Sequence, residues 1–159
     1  MQAEHALEFR TATREDLPTI VAMLARDSMV PGQPSTPTPG HLTAFDEITS
    51  HPDNELIVAT MEGNIVATLQ LTFIPGLGYD GAWRAQIEGV RVRSDLRNQR
   101  IGTRLIEWVI DRARQRGCRL VQLTSNMART DARRFYERVG FVASHVGMKL
   151  QLPAIAPRP

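Results

Sequence analysis

The chain of 159 residues has one cysteine, Cys118, so neither a disulfide framework nor a cysteine zinc cluster can be built from it. In the run Arg116-Gly117-Cys118-Arg119-Leu120, between a helix and a strand, it reads as a small buried hydrophobe rather than a nucleophile. No apolar run approaches membrane-spanning length, and the start MQAEHALEFR has no signal-peptide core. The expectation is a cytoplasmic protein with no membrane partner. The four histidines, His5, His41, His51 and His145, are scattered without metal-ligand spacing, and no metal site is expected. No Walker loop is present, and so few histidines support no Ser-His-Asp order. The net charge is only +2 and no helix with base-reading side chains stands out, so no nucleic-acid partner is expected. Internal repeats and obvious linkers are also missing.

What is present is an ordinary soluble composition, 42% apolar and 23% charged, in a length that suits one domain with a proper core. We read a single domain over residues 1–152, with a short frayed, disordered tail over 153–159. The basic residues are unevenly placed. From Arg91 to Arg138 there are thirteen arginines and no lysine. A local basic surface of this kind suits a phosphorylated ligand, although about half of these arginines read as solvated helix-face residues.

Along the chain, Leu7 to Thr11 alternates as a first strand. Thr13 reads as a helix cap with Asp16 three residues on and Pro18 in the first turns. Ile20, Val21, Leu24 and Ala25 carry that helix to Arg26-Asp27. The run SMVPGQPSTPTPG cannot be a continuous helix or a central strand. A second helix is predicted from His41 to Ser50. Glu55 to Met61 and Asn64 to Ile74 form a hairpin turning at Glu62-Gly63-Asn64. A loop from Pro75 to Gly81 leads to a fourth strand, Trp83 to Arg93. The third helix carries Ile101, Leu105 and Val109 on one face and ends at Gly117. A fifth strand over Leu120 to Thr124, a fourth helix over Asp131 to Val139, and a bent final strand over Phe141 to Leu152 complete the order. The expectation is an α/β (α+β) fold in which helices cover a mixed sheet.

The most informative stretch is Arg97-Asn98-Gln99-Arg100-Ile101-Gly102-Thr103. A turn from strand to helix aims unpaired N–H groups outward at the positive end of the helix dipole, which is a site for a phosphate. Glu88 lies on the strand that feeds it. It is read as sharing strand parity with Val90 and Val92, directed towards one packed side or cleft.

Taken together, Ile87-Glu88-Gly89-Val90-Arg91-Val92, Leu96-Arg97-Asn98-Gln99-Arg100-Ile101-Gly102, Arg116-Gly117-Cys118 and Ala132-Arg133-Arg134-Phe135-Tyr136-Glu137-Arg138-Val139-Gly140-Phe141 resemble the GNAT superfamily of acyl-CoA-dependent N-acetyltransferases. Their order and spacing resemble the glucosamine-6-phosphate N-acetyltransferases and their small-molecule relatives. The resemblance implies a GNAT fold, with a mostly antiparallel mixed sheet of about six to seven strands flanked by four helices and splayed between strands 4 and 5. It implies acetyl-CoA as donor and an amine acceptor that attacks directly in a ternary complex.

The same resemblance implies roles for individual residues. Backbone groups from Asn98 through Gln99, Arg100, Ile101 and Gly102 to Thr103 hold the pyrophosphate, and Arg97 matches the arginine that opens the family's phosphate loop. The stretch Val90, Arg91, Val92 pairs with the pantetheine arm as an added strand does. Arg100 occupies the position where the family usually has its first glycine, and ordinary helical torsions are expected there because the helix starts at this point. Asn126 and Arg133 are further cofactor candidates; Asn126 equally suits the end of the fifth strand, and Arg133 an exposed helix charge. Glu88 is the candidate base or amine anchor, and Tyr136 the phenol near the departing sulfur. Phe135 and Phe141 read as packing. Tyr79, Asp80 and Trp83 are candidates for contact with the acceptor. Two other readings stay open: a non-catalytic acyl-CoA-binding regulatory module, and an acetyltransferase acting on protein lysines or N-termini. A homodimer is expected, since a chain ending in a single strand can pair with its neighbour.

Overall fold

The structure, a computed structural model, describes residues 6–153. Residues 1–5, which include His5, and residues 154–159 of the expected tail lie outside them. The chain divides into two compact units, Met1–Leu123 and Thr124–Pro159.

The first unit holds β1 (Leu7–Thr11), α1 (Leu17–Arg26), α2 (Pro39–Ser50), β2 (Asn54–Met61), β3 (Asn64–Ile74), the single turn α3 (Gly78–Gly81), β4 (Trp83–Val92), α4 (Ile101–Gln115) and β5 (Cys118–Leu123). The sheet runs β1-β2-β3-β4-β5. Its first three pairings are antiparallel, and β4 pairs with β5 in parallel. This is the mixed, mostly antiparallel sheet expected, with five strands rather than six or seven and with five helices among the described residues rather than four.

Two apolar layers hold it. On one face Leu17, Ile20 and Val21 of α1 and Phe45 of α2 join Leu56 and Val58 of β2 in one buried cluster. On the other, Leu105, Ile106, Val109 and Ala113 form the buried side of α4, which packs on β3, β4, β5 and β1. Phe9 stacks on Trp108, with ring centroids 5.6 Å apart. Each fully buried Ile, Leu or Val contributes roughly 1.5–3 kcal/mol.

The start of α1 is fixed as its sequence predicts. Asp16 accepts from the Thr13 N–H at 2.7 Å and from the Thr13 hydroxyl. Arg10 closes a two-pronged pair on the same carboxylate at 2.6 and 2.9 Å. The helix α2 begins at Pro39, two residues before the expected start. Proline suits a first turn, and the Thr38 hydroxyl caps it by accepting from the His41 N–H.

Three further expectations are corrected. The loop after β3 contains α3, where Tyr79, Asp80 and Gly81 take left-handed torsions with φ of 52°, 60° and 78°. The fifth strand starts at Cys118, two residues before the expected start. In the second unit, α5 (Thr130–Arg138) forms as expected, but residues 141–152 form no strand. Alternation selects a face; a strand also needs a neighbour to take its backbone bonds. Local bonds intervene instead: the Ser144 N–H donates to the Val142 carbonyl, and the Ser144 hydroxyl lies 2.8 Å from His145 Nδ1. Val142, Val146, Met148, Leu150 and Leu152 are exposed.

Hydrogen bonding from the Arg10 guanidinium, helped by the Thr13 bonds and opposed by burial, lowers the Asp16 carboxyl from 3.8 to about 2. A lowered carboxylate stabilises the fold above its unfolded value and loses that contribution as pH falls through the folded one. Asp16→Asn should therefore cost on the order of 2 kcal/mol at pH 7. The gap from wild type in urea unfolding should close as pH falls from about 4 to 2.

Candidate active site

The strand β4 is bonded on both sides only in its first half. Its ladder with β5 runs from Trp83–Cys118 to Ile87–Leu123 and stops, while its ladder with β3 continues to Val92–Ala67. The ladder stops because β5 ends at Leu123, so past Ile87 this edge of β4 has no strand of the first unit beside it, and Glu88 is the first residue past that point.

A β-bulge lies at that corner. Gln70 pairs with Glu88 and Thr68 with Arg91, so two steps on β3 meet three on β4. Gly89 absorbs the extra residue at φ 63°, a conformation that a side chain disfavours. The shared parity of Glu88 with Val90 and Val92 is therefore corrected. The bulge shifts the alternation by one, so Glu88 and Arg91 share one face and Val92 lies on the other. Glu88 is exposed, and its side chain makes no hydrogen bond or ion pair among the described residues. Val90 and Val92 are half-buried. The Arg91 guanidinium donates to the Val90 carbonyl at 2.9 Å.

After β4 the chain makes a 3₁₀ turn at Ser94–Leu96 and enters the phosphate-friendly stretch. Asn98 and Arg100 both take positive φ, 66° and 60°. Arg100, with ψ 6°, is the residue immediately before α4. The expectation of helical torsions at Arg100 is thus wrong, and the reason is geometric. The chain must reverse within three residues to start α4, and a left-handed residue makes that reversal; glycine is the usual choice. The N–H groups from Asn98 to Thr103 meet no acceptor among the described residues. Ile101 is buried as the anchor of the turn, Gln99 is exposed, and Gly102 and Thr103 are half-buried.

The arginines are mostly committed elsewhere. Arg97 pairs with Asp27 at the end of α1 at 2.5 Å. Arg93 sits on Asp95, Arg112 on Glu55, Arg114 on Asp111 and Arg116 on Asp53. Arg100 and Arg104 have no side-chain partner among the described residues. Between α1 and the end of β4 lies a groove of about 450 Å³, lined by Ala22, Met23, Arg26, Asp27, Arg91 and Arg93 among others. Burial pushes the half-buried Cys118 thiol up, with Arg116 opposing, which is not the environment of an activated nucleophile.

The remaining candidates are placed as follows. Tyr79 is exposed with Arg119 5.6 Å over its ring, Asp80 is exposed, and Trp83 opens β4 opposite Cys118. In the second unit, Tyr136 has its ring edge-on to Phe135 and Phe141 at 5.1 and 5.8 Å. Asn126 accepts from the Ala128 N–H at 2.9 Å, a turn that leads into α5, and Arg133 pairs with Glu137 along the helix. Among the described residues no group of three or more His, Cys, Asp or Glu could hold a metal ion.

A strand edge opening beside a turn of free N–H groups is the arrangement that the sequence resemblance implies. A sequence model of the acetyltransferase (GNAT) family matches residues 19–141. The chain belongs to the GNAT family. An aminoalkylphosphonate N-acetyltransferase of Salmonella typhimurium is 35% identical over 55% of this chain and 56% of that protein; the match thus spans about half of the curated relative. A crystal structure of a transcriptional regulator from Bacillus halodurans is 46% identical, with a TM-score of 0.86 over 92% of this chain and all of that one. The glucosamine-6-phosphate N-acetyltransferase of Arabidopsis thaliana shares the fold at 21% identity, with a TM-score of 0.76 over 92% of this chain and 98% of that one.

Arg100→Gly should relieve the left-handed strain before α4. The expected gain is about 1 kcal/mol, or roughly 2–4 °C in Tm for a chain of this size, read by thermal unfolding without ligand. An unchanged or lowered Tm would remove strain as the meaning of this arginine.

Proposed function

We propose that this GNAT protein transfers the acetyl group of acetyl-CoA to a primary amine by direct attack in a ternary complex. The observation that carries the reading is the adjacency of two open backbone arrays. One is the unpaired edge of β4 past Ile87, and the other is the run of N–H groups from Asn98 to Thr103 before α4. An extended pantetheine arm fits the first as a strand would. A pyrophosphate fits the second, where N–H groups and the helix dipole favour negative charge.

Glu88 stands at the start of the first array, just past Ile87, with no cation of the described residues on it. That leaves its carboxylate available to an incoming ammonium. An alkylammonium with a pKa near ~10 is almost wholly protonated at pH 7 and cannot attack a thioester. A carboxylate that orders it and takes its proton, directly or through water, contributes roughly 10²–10⁴-fold. The backbone N–H next to the bulge is suited to polarise the thioester carbonyl. For Tyr136 the support is the sequence motif: a phenol is a suitable proton donor for a thiolate of pKa near ~8.5. A cytoplasmic homodimer belongs to the same reading.

A second reading has one observation in its favour, the 46% identity to a Bacillus halodurans protein described as a transcriptional regulator. It makes this chain an acyl-CoA-binding regulatory module. A free-thiol assay with acetyl-CoA and a panel of amines, amino acids, amino sugars and peptides separates the two. Turnover on any amine supports transfer; tight acetyl-CoA binding by calorimetry with no turnover supports the module.

Glu88→Gln should lower kcat by roughly 10²-fold at pH 7 with the KM for acetyl-CoA unchanged. The deficit should shrink as pH rises towards the pKa of the amine, because more acceptor then arrives unprotonated. Wild-type turnover at every pH would take Glu88 out of the base role.

A further inference from the structure

The sheet face under α1 and α2 is apolar where those helices pack, at Leu56 and Val58. Towards β4 and β5 the same face changes character. Asn54 pairs with Thr72, Thr72 with Gln86, and Gln86 with Gln122. Cross-strand partners share a face, so four uncharged polar side chains form one row across β2, β3, β4 and β5. The neighbouring row is Leu56, Gln70 and Glu88. Successive rows are two residues apart, about 6.6–6.8 Å. Glu88 therefore stands one row from Gln86, beside Gln70. On the opposite face at this level, Leu71, Phe73, Ala85 and Ile87 are almost completely buried.

The row is internally ordered and still has capacity to bond. The Thr72 hydroxyl donates to Asn54 Oδ1 at 2.8 Å, and the Gln122 amide donates to Gln86 Oε1 at 2.7 Å. The Gln86 amide donates to the Ile87 carbonyl. Those bonds fix the side chains while leaving Asn54 Nδ2, Gln122 Oε1 and the whole Gln70 amide without a partner among the described residues. All five residues are half-buried. None of these atoms is shut off from solvent among the described residues, so they can exchange water for the polar groups of a ligand.

We propose that this row recognises the acceptor, and that the acceptor is a small amine bearing uncharged hydroxyl groups, of the amino-alcohol or amino-sugar class. The inference rests on the acetyl-transfer reading and deepens it. With the amine nitrogen at Glu88, the body of such a molecule extends over Gln70, Gln86 and Gln122. The free groups there include both donors and acceptors, and a hydroxyl, which does both, answers them without charge. The row itself contains no cation to neutralise a phosphonate or carboxylate. Arg91 shares the face one row beyond Glu88, but its guanidinium is bonded to the Val90 carbonyl. Arg84 lies one row past Gln86 on the far side from Glu88.

The test uses the full chain, acetyl-CoA and the free-thiol assay, with matched acceptors: glucosamine against cyclohexylamine, 2-amino-1,3-propanediol against isopropylamine, and 2-aminoethylphosphonate and a lysine peptide as the other arms. The hydroxylated member of each pair should show at least ~10-fold higher kcat/KM. Gln70→Met and Gln122→Met should each raise its KM by roughly 3–10-fold, the loss of about one hydrogen bond, with kcat and the deoxy amine unaffected. Equal rates within the pairs, a preference for the phosphonate or the peptide, or an equal loss on both members overturns the proposal while leaving acetyl transfer intact. No turnover on any amine overturns both.

Discussion

The strand β4 pairs with β3 from Arg84 to Val92 across one bulge and with β5 only from Trp83 to Ile87, and most of the candidate site follows from that inequality. An open sheet edge is normally a liability, because its N–H and C=O groups invite another chain. Here the opening begins beside a bulge at Gly89 that turns Glu88 and Arg91 onto one face. The open edge thus begins at a carboxylate. α1 packs beside the same bulge, where Leu24 would be the nearest neighbour of a side chain at Gly89, 3.5 Å away.

In the proposed donor end, backbone groups rather than side-chain charge face the ligand. The arginines nearest the turn are largely neutralised within the protein, and Arg97 uses its charge to tie the turn to Asp27 of α1. Arg100 and Arg104 are not neutralised in this way among the described residues. The strongest features left for an anion are the N–H groups before α4, aligned with the dipole of a 15-residue helix. Such an array depends on torsion angles more than on residue identity. A left-handed arginine can therefore stand where glycine is usual, at a cost in strain of about 1 kcal/mol.

What is legible in the sequence divides along the same line. Features with short-range causes are readable: the Thr13–Asp16 cap, the hairpin at Glu62–Gly63, the apolar side of α4 and the order of motifs that marks the family. Features decided by pairing are not. The parity of Glu88 depends on one extra residue in β4 relative to β3, which alternation counted along a single strand cannot reveal. Residues 141–152 carry strand-like alternation but local bonds at Ser144 in place of a ladder. Arg100 escapes a reading by periodicity because the helical pattern begins at Ile101, while the reversal that precedes it is imposed by the geometry of the turn.

The same distinction explains why donor and acceptor differ in how openly they are written. The proposed donor site is local, centred on residues 88–103 of one strand, one turn and the start of one helix. The row Asn54, Thr72, Gln86 and Gln122 is drawn from four strands far apart along the chain, and no two of its members are neighbours in sequence. Each alone is an inconspicuous polar residue in a strand. Only register makes them a surface, and only the bulge separates Glu88, on their side, from Val92 on the other. An acceptor site assembled in this way can change its chemistry by single substitutions in separate strands while the donor site keeps its own. Diversity of acceptors on one donor-binding frame is therefore the outcome to expect from the architecture of the sheet.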